Sequence, residues 1–396
     1  MKTTMEMTRT FHPVGQGAFY TERFEAYNRG TFTIVYDCGS KTLSGDKLAT
    51  RIRSTFPKGA EIEALFISHF HADHVNGLDI LQKHCKIKRV VLPELGKEDI
   101  KLLEVLFAID QEHGPNFNLS HDRFKTLVEN PASFFGEGET QIITIKSISK
   151  GTPPNEGDLP ESKRDLRDGL HNANDLAKIK GNRTYESGSI FYYSHWEHWR
   201  FIPFNYAQDE RRIQFEAALK KVRLRLSNIT SMEEINKHKD KLIKAYESID
   251  GDLNVNSMIL YSGPQYHRYR VNRILSCTRS FFDDYCYDYH TFPAGCLYTG
   301  DVNFNTTGMI GEVSERLGRV FYFLGTIQVP HHGSIHNFEK SILQMKHIRC
   351  AIFSFGSNNT YGHPSDLVVE EVVKEGVLPC LITEDPSSIV VQHIMY

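Results

Sequence analysis

The sequence has no C-x-x-C pair. Its seven cysteines, Cys38, Cys85, Cys277, Cys286, Cys296, Cys350 and Cys380, are scattered and odd in number. That argues against a disulfide framework and against a cysteine-type zinc site. No stretch reaches the ~18 apolar residues that a membrane span needs. The segment Met1 to Val14 has no apolar core of a secretory leader. Charge imbalance is small as well. A formal net charge of −3 over 396 residues exerts no global pull on nucleic acid or anionic membrane. Any polymer binding would rest on a local patch. Internal repeats and low-complexity runs are also missing. These absences predict a cytoplasmic globular protein without membrane association. A hydrophobic content of 40% and a charged content of 24% agree with that class.

What the chain does have is histidine, 19 residues of it, in clusters. The clusters fall at the ends of apolar segments. Gly30 to Tyr36 is β-rich and runs into Asp37-Cys38-Gly39-Ser40, closing a β-hairpin region that begins near Phe11. Asp46 to Phe56 reads as a helix. Ile62 to Ile67 is a short strand, followed at once by Ser68-His69-Phe70-His71-Ala72-Asp73-His74. Val75, Leu78, Ile80 and Leu81 then recur at helical spacing. A strand at Lys88–Leu92 and a helix at Glu98–Ile109 continue an alternation that predicts α/β layers. Residues 1–396 read as one domain with three inserts. The first, about 151–187, is a Gly-, Asn-, Asp- and Pro-rich loop. The second, about 208–246, is a helical pair, its second helix opening on the capping box Ser231/Glu234. The third, about 263–293, is rich in aromatics.

Three imidazoles and a carboxylate within six residues, at a strand end, are enough to ligate two divalent ions. His69 and His71 can face one ion, Asp73 and His74 the other. Mixed nitrogen and oxygen donors suit zinc or manganese. Thr299-Gly300-Asp301 ends another strand, and a carboxylate there could bridge two ions. Val329-Pro330-His331-His332-Gly333-Ser334 and Tyr361-Gly362-His363-Pro364 follow. Taken singly, each of these three also reads as an ordinary polar turn. Together they form an ordered series of strand-end motifs.

That series resembles the metallo-β-lactamase superfamily, and more closely the hydrolase domain of ComEC-type DNA-uptake proteins. Val14-Gly15-Gln16-Gly17, Ile34-Val35-Tyr36-Asp37-Cys38-Gly39, the histidine run, Tyr298-Thr299-Gly300-Asp301, Pro330 to Ser334 and Asn359 to Pro364 occur in that group's order. The resemblance implies a four-layer αββα sandwich with helical inserts and a two-metal site between its sheets. It implies His69, His71, Asp73, His74, Asp301 and one of His331 and His332 as metal ligands. Asp37 and Asn256 would support them from behind, and Asp73 and His363 would serve catalysis. One departure stands out. Many superfamily members carry a further histidine ligand where this chain reads Asn254-Val255-Asn256-Ser257. The ion at His69 and His71 would then be one ligand short. The hairpin histidines His195 and His198 could substitute, although their place in the chain does not fit.

The expected activity is hydrolysis driven by two divalent ions, Zn or Mn, which make hydroxide available at neutral pH. The resemblance favours a phosphodiester substrate, on DNA, RNA or a nucleotide. The basic run Arg211, Arg212, Lys220, Lys221, Arg223 and Arg225 on one predicted helix could hold a phosphate backbone. Tyr266, Tyr269, Phe281, Phe282, Tyr285, Tyr287 and Tyr289 could stack bases, or form a small core of their own. A small ester, lactone or phosphoester is the second expectation. The third is a subunit of a larger assembly, such as an antiphage defence system, with the helical insert docking a protein partner.

Overall fold

A computed structural model describes residues 5–395 except 27–29, 114–117, 149–172, 208, 230–231, 249–255, 267, 277–290 and 345–346. The capping residue Ser231, the aromatics Phe281 to Tyr289, and Cys277 and Cys286 therefore lie outside the described residues, as does most of the first insert.

Two large sheets form the centre. In the first, the strands 141–145, 89–93, 64–66 and 30–38 run parallel, and 19–26, 5–11, 390–395 and 270–275 continue antiparallel. In the second, 196–207, 256–264 and 295–298 are antiparallel neighbours, and 324–328, 350–354 and 378–382 follow in parallel with 295–298. The side-chain period of two divides each strand between two cores. Ile34 and Tyr36 point between the sheets, while Val35 points to the outer helices. Likewise Met258 and Leu260 face inward, and Ile259 and Tyr261 face the opposite outer layer. Strands buried on both faces read as unbroken apolar runs, as parallel sheets require.

The helices complete four layers. Along the chain they are α1 (Asp46–Thr55), α2 (Ala72–Val75), α3 (Leu78–His84), α4 (Lys97–His113), α5 (His121–Glu129), α6 (Pro131–Phe135), α7 (Asp209–Lys221), α8 (Met232–Glu247), α9 (Met309–Leu317) and α10 (Asp366–Lys374). Helices α1 and α3 to α8 share one core against the first sheet. Helices α9 and α10 cover the second. The arrangement is the αββα sandwich that the sequence predicts.

Between the sheets lies a buried charge pair. Arg9 Nε meets Glu22 Oε1 at 2.8 Å, and Tyr298 and Ser262 of the opposite sheet donate to the same carboxylate. Removing one partner of such a pair typically costs about 3–5 kcal/mol. The pair therefore holds the sheets in one alignment.

Two features of the structure matter for the site. Gln141–Ile145 belongs to the first sheet, while Ser147–Ile148 pairs with 196–207 of the second. The basic run is not one helical face. Helix α7 ends at Lys221, Arg223 sits at φ 59° beyond it, and Arg212 pairs with Asp99 of α4 at 3.5 Å. Lys220, Lys221, Arg223 and Arg225 are exposed, and the Arg211 side chain lies outside what is described.

Candidate metal centre

The parallel strands of both sheets end on the same edge, the position where open α/β sheets place their ligands. Asp37 closes strand 30–38, and the His69–His74 run follows strand 64–66. Asp301 follows 295–298, and His331 and His332 follow 324–328. The polypeptide crosses between the sheets here as well, with Met258 N donating to Ser68 O at 2.8 Å.

Among the described residues, two groups place ligand atoms within 4.8 Å of one another: His69, His74 and Asp301, and Asp73, His74 and His332. His69 Nε2 and His74 Nε2 each stand 3.3 Å from an Asp301 oxygen, and His332 Nε2 stands 3.1 Å from Asp73 Oδ2. His331 Nε2 is farther out, 3.9 Å from Asp301 Oδ2. The adjacent histidines thus divide: His332 joins a group and His331 flanks it. Both adopt left-handed backbone conformations, φ 58° and 49°. Such conformations are strained for a non-glycine residue and persist only where the surroundings enforce them.

His71 belongs to neither group, though it stays beside His69. His71 is the extended residue before α2, at φ −70° and ψ 150°. The helical turn that follows carries Asp73 and His74, and His71 also lines a small cavity with Lys41 and Asp110. Its ring remains 4.9 Å from that of His69.

Four of the imidazoles are held from behind through Nδ1. Ser68 Oγ reaches His69 at 2.9 Å, Asp37 Oδ2 reaches His74 at 2.8 Å, Asn337 Oδ1 reaches His331 at 3.0 Å, and Ser354 O reaches His332 at 2.7 Å. Outer partners of this kind fix the tautomer and aim Nε2 inward, as at metal sites. Meanwhile His69 Nε2, His74 Nε2 and Asp73 Oδ1 are buried without a hydrogen-bond partner. Buried polar atoms normally have one. This buried set of nitrogen and oxygen donors fits a divalent ion.

The electrostatics agree. Burial favours neutral carboxyls, yet Lys41, His332 and His74 hold Asp73 well below the usual carboxylate range, and His331, His69 and His74 do the same for Asp301. Burial, with His69 and Lys41 beside it, pushes His71 down to about 4. Burial lowers His69 too. His74 is the exception. Burial opposes its charge, but Asp301 and Asp37 outweigh burial and hold it well above an ordinary imidazole.

Asp37 contacts the histidine loop directly. Its carboxylate accepts from Ser68 N at 2.7 Å, Ser68 Oγ at 2.6 Å and His74. The Asn256 side chain lies outside what is described. Its neighbour Ser257 supports the Asp301 turn: its Oγ donates to Thr299 O and accepts from Asp301 N at 3.1 Å. His363 comes to the rim, its ring 5.2 Å from His331 and 5.9 Å from the exposed Tyr361 ring. His195 and His198 are exposed on the hairpin of the second sheet and join neither group, while the neighbouring Trp196 and Trp199 pack in the core.

Several residues carry no local sequence signal. Gln328 clamps the Asp301 turn, accepting from Thr299 N and Gly300 N at 2.8 Å each. Asn337 ties His331 to Asp301 O. Lys41 stands 3.9 Å from Asp73 Oδ1. Only the meeting of distant segments gives these side chains a role.

Comparison with known proteins bears on part of the chain. Residues 26–159 match the family model described as "Metallo-beta-lactamase superfamily". A solved structure titled as a long form RNase Z from yeast is similar at 9% sequence identity and a TM-score of 0.33, covering 90% of this chain and 38% of that one. The chain thus spans well under half the length of that structure. No curated protein matches the sequence. The likeness to ComEC-type proteins rests on the sequence motifs alone. The superfamily match spans Asp37 and the whole His69–His74 run, one half of the site described above.

Proposed function

We propose that the protein is a metal-dependent hydrolase acting on phosphodiesters. The observation that carries this reading is the meeting of His69, His74 and Asp301 in one buried group and of Asp73, His74 and His332 in another that shares His74, with each imidazole aimed from behind. In this reading those residues hold one or two divalent ions, zinc or manganese. Asp301, 3.3 Å from both His69 and His74, would hold an ion together with them. Bound ions supply Lewis acidity and acidify a water ligand.

The remaining roles fall to the chain itself. Asp37 keeps His74 oriented, and Gln328 and Ser257 keep the Asp301 carboxylate in place. His363, at the rim, delivers a proton to the departing oxygen. Tyr361, 56% exposed beside His363, offers a flat face for a base or sugar. A partner-dependent subunit is the weaker reading. The apolar faces of α7 and α8, with Phe215, Leu219, Leu242 and Ala245, are already buried in the core shared with α4.

The test is a substrate screen of protein reconstituted with Zn²⁺ or Mn²⁺, using single-stranded DNA, RNA, bis-p-nitrophenyl phosphate and a chromogenic β-lactam. Cleavage of a phosphodiester, lost in Asp301→Ala, is the expected result. Turnover of the lactam without any diester cleavage would refute the proposal.

A further inference from the structure

We propose that Lys41 is the anion-binding residue of the metal cleft, taking a non-bridging oxygen of the substrate phosphate. The inference rests on the phosphodiester reading above and adds to it the residue that recognises the charge.

Lys41 follows the Asp37–Ser40 turn, and its backbone is tightly fixed. Lys41 N donates to Gln16 O at 2.6 Å. Ser40 Oγ donates to Val14 O and accepts from Thr42 N and Leu43 N. Asn76 grips Ser40 N and O. The loop therefore has the rigidity that a binding residue needs. The ammonium is placed as firmly, 3.1 Å from Asp110 Oδ2 on α4 and 3.9 Å from Asp73 Oδ1. Its side chain keeps 23% exposure, so it is reachable from solvent.

Beside it is a cavity of about 20 Å³, bounded by Lys41, His71, Asp110 and Tyr246 on an apolar floor that includes Phe70 and Phe107. That volume suits a single water or one substrate oxygen. The wall comes from an unexpected source. Strand 196–207 ends, and strand 256–264 begins, at the site edge. The α7–α8 insert that links them packs against α4 over the first sheet and brings Tyr246 to the cavity.

The physical argument concerns charge. A phosphodiester arrives with a negative charge, and more charge builds on its non-bridging oxygens in the transition state. A fixed ammonium in a partly buried cleft stabilises that charge without reorganising. A neutral lactone or β-lactam carbonyl gains much less from it. Asp110 holds the ammonium at the rim instead of letting it collapse fully onto Asp73.

The experiment uses full-length protein loaded with Zn²⁺ or Mn²⁺ and compares wild type, Lys41→Met and Lys41→Arg. Metal content is measured first. Inorganic phosphate is then titrated calorimetrically, and KM and kcat are measured on bis-p-nitrophenyl phosphate. The expected result is unchanged metal content in Lys41→Met, phosphate affinity at least tenfold weaker, a KM at least tenfold higher, and substantial recovery in Lys41→Arg. Equal phosphate affinity in wild type and Lys41→Met would overturn the inference. So would loss of metal in Lys41→Met, because Lys41 would then serve Asp73. If wild type cleaves no diester, the functional reading falls, while the phosphate titration still decides the role of Lys41.

Discussion

Asp37 sits at φ 52°, in the left-handed region that aspartate and asparagine tolerate better than most residues. That makes Asp37→Asn a clean probe, because the backbone stays acceptable while the charge behind His74 disappears. Its carboxylate accepts three hydrogen bonds in the Ser68–His74 loop, and an amide cannot reproduce them all. Metal affinity should fall about 10–100-fold, the usual cost of losing such an outer partner. Competitive titration against a zinc-sensitive dye measures this, and unchanged affinity would mean that His74 needs no support. The family resemblance implied this role for Asp37. It implied none for Asn337, because Asn337 acquires a function only when His331 and the Asp301 turn fold against it.

At the scale of elements, close backbone approach explains the glycine motifs. A Cβ on Gly39 would lie 2.5 Å from Asp73 O and 2.6 Å from His74 C, both backbone atoms. One on Gly17 would meet Gly39 O at 2.5 Å and Asp73 O at 2.6 Å. The 14–17 loop and the 37–40 turn thus form a shelf under α2, and the shelf sets where Asp73 and His74 stand. Gly39→Ala forces that shelf open. Overpacking of this kind costs about 1–3 kcal/mol, so the variant should be less stable in urea and should bind metal poorly. Normal metal stoichiometry and wild-type affinity in that variant would show that the contact can relax. The same crowding explains the break between α2 and α3. Helical spacing reads straight through Val75 to His84, but a Cβ on Gly77 would meet Cys38 O at 2.8 Å.

For the whole molecule, the site is a seam between sheets. Ligand atoms from the first sheet, His69, Asp73 and His74, face those from the second, Asp301 and His332. An ion bound there ties the two halves together and stabilises only the folded state. At a free metal concentration of 100 times Kd the gain is about 2.7 kcal/mol. Chelation should therefore lower the melting temperature, and Zn²⁺ or Mn²⁺ should restore it in a scanning fluorimetry titration. The shift should be larger at pH 8 than at pH 6. Asp301 and Asp37, outweighing burial, hold His74 protonated above the ordinary imidazole range, so protons compete with metal more strongly as pH falls. A melting temperature indifferent to chelator and metal would count against the site.

The alternation of strands and helices and the clustering of candidate ligands at strand ends were legible in the chain, and the αββα layering followed from the family resemblance. Periodicity and strand-end motifs are local properties, and local spacing encodes them. The contacts that each histidine makes were not legible. The turn at Ala72 sets His74 against Asp301 and leaves His71 beside both His69 and the Lys41 cavity. Nor could spacing separate His331 from His332, which differ only in which way a strained turn aims each ring. The helical insert reads as an independent appendage in sequence, yet its apolar faces close onto α4 and bring Tyr246 beside the metal loop. These decisions depend on which distant backbones approach one another, and that is settled only when both sheets and their helices pack together.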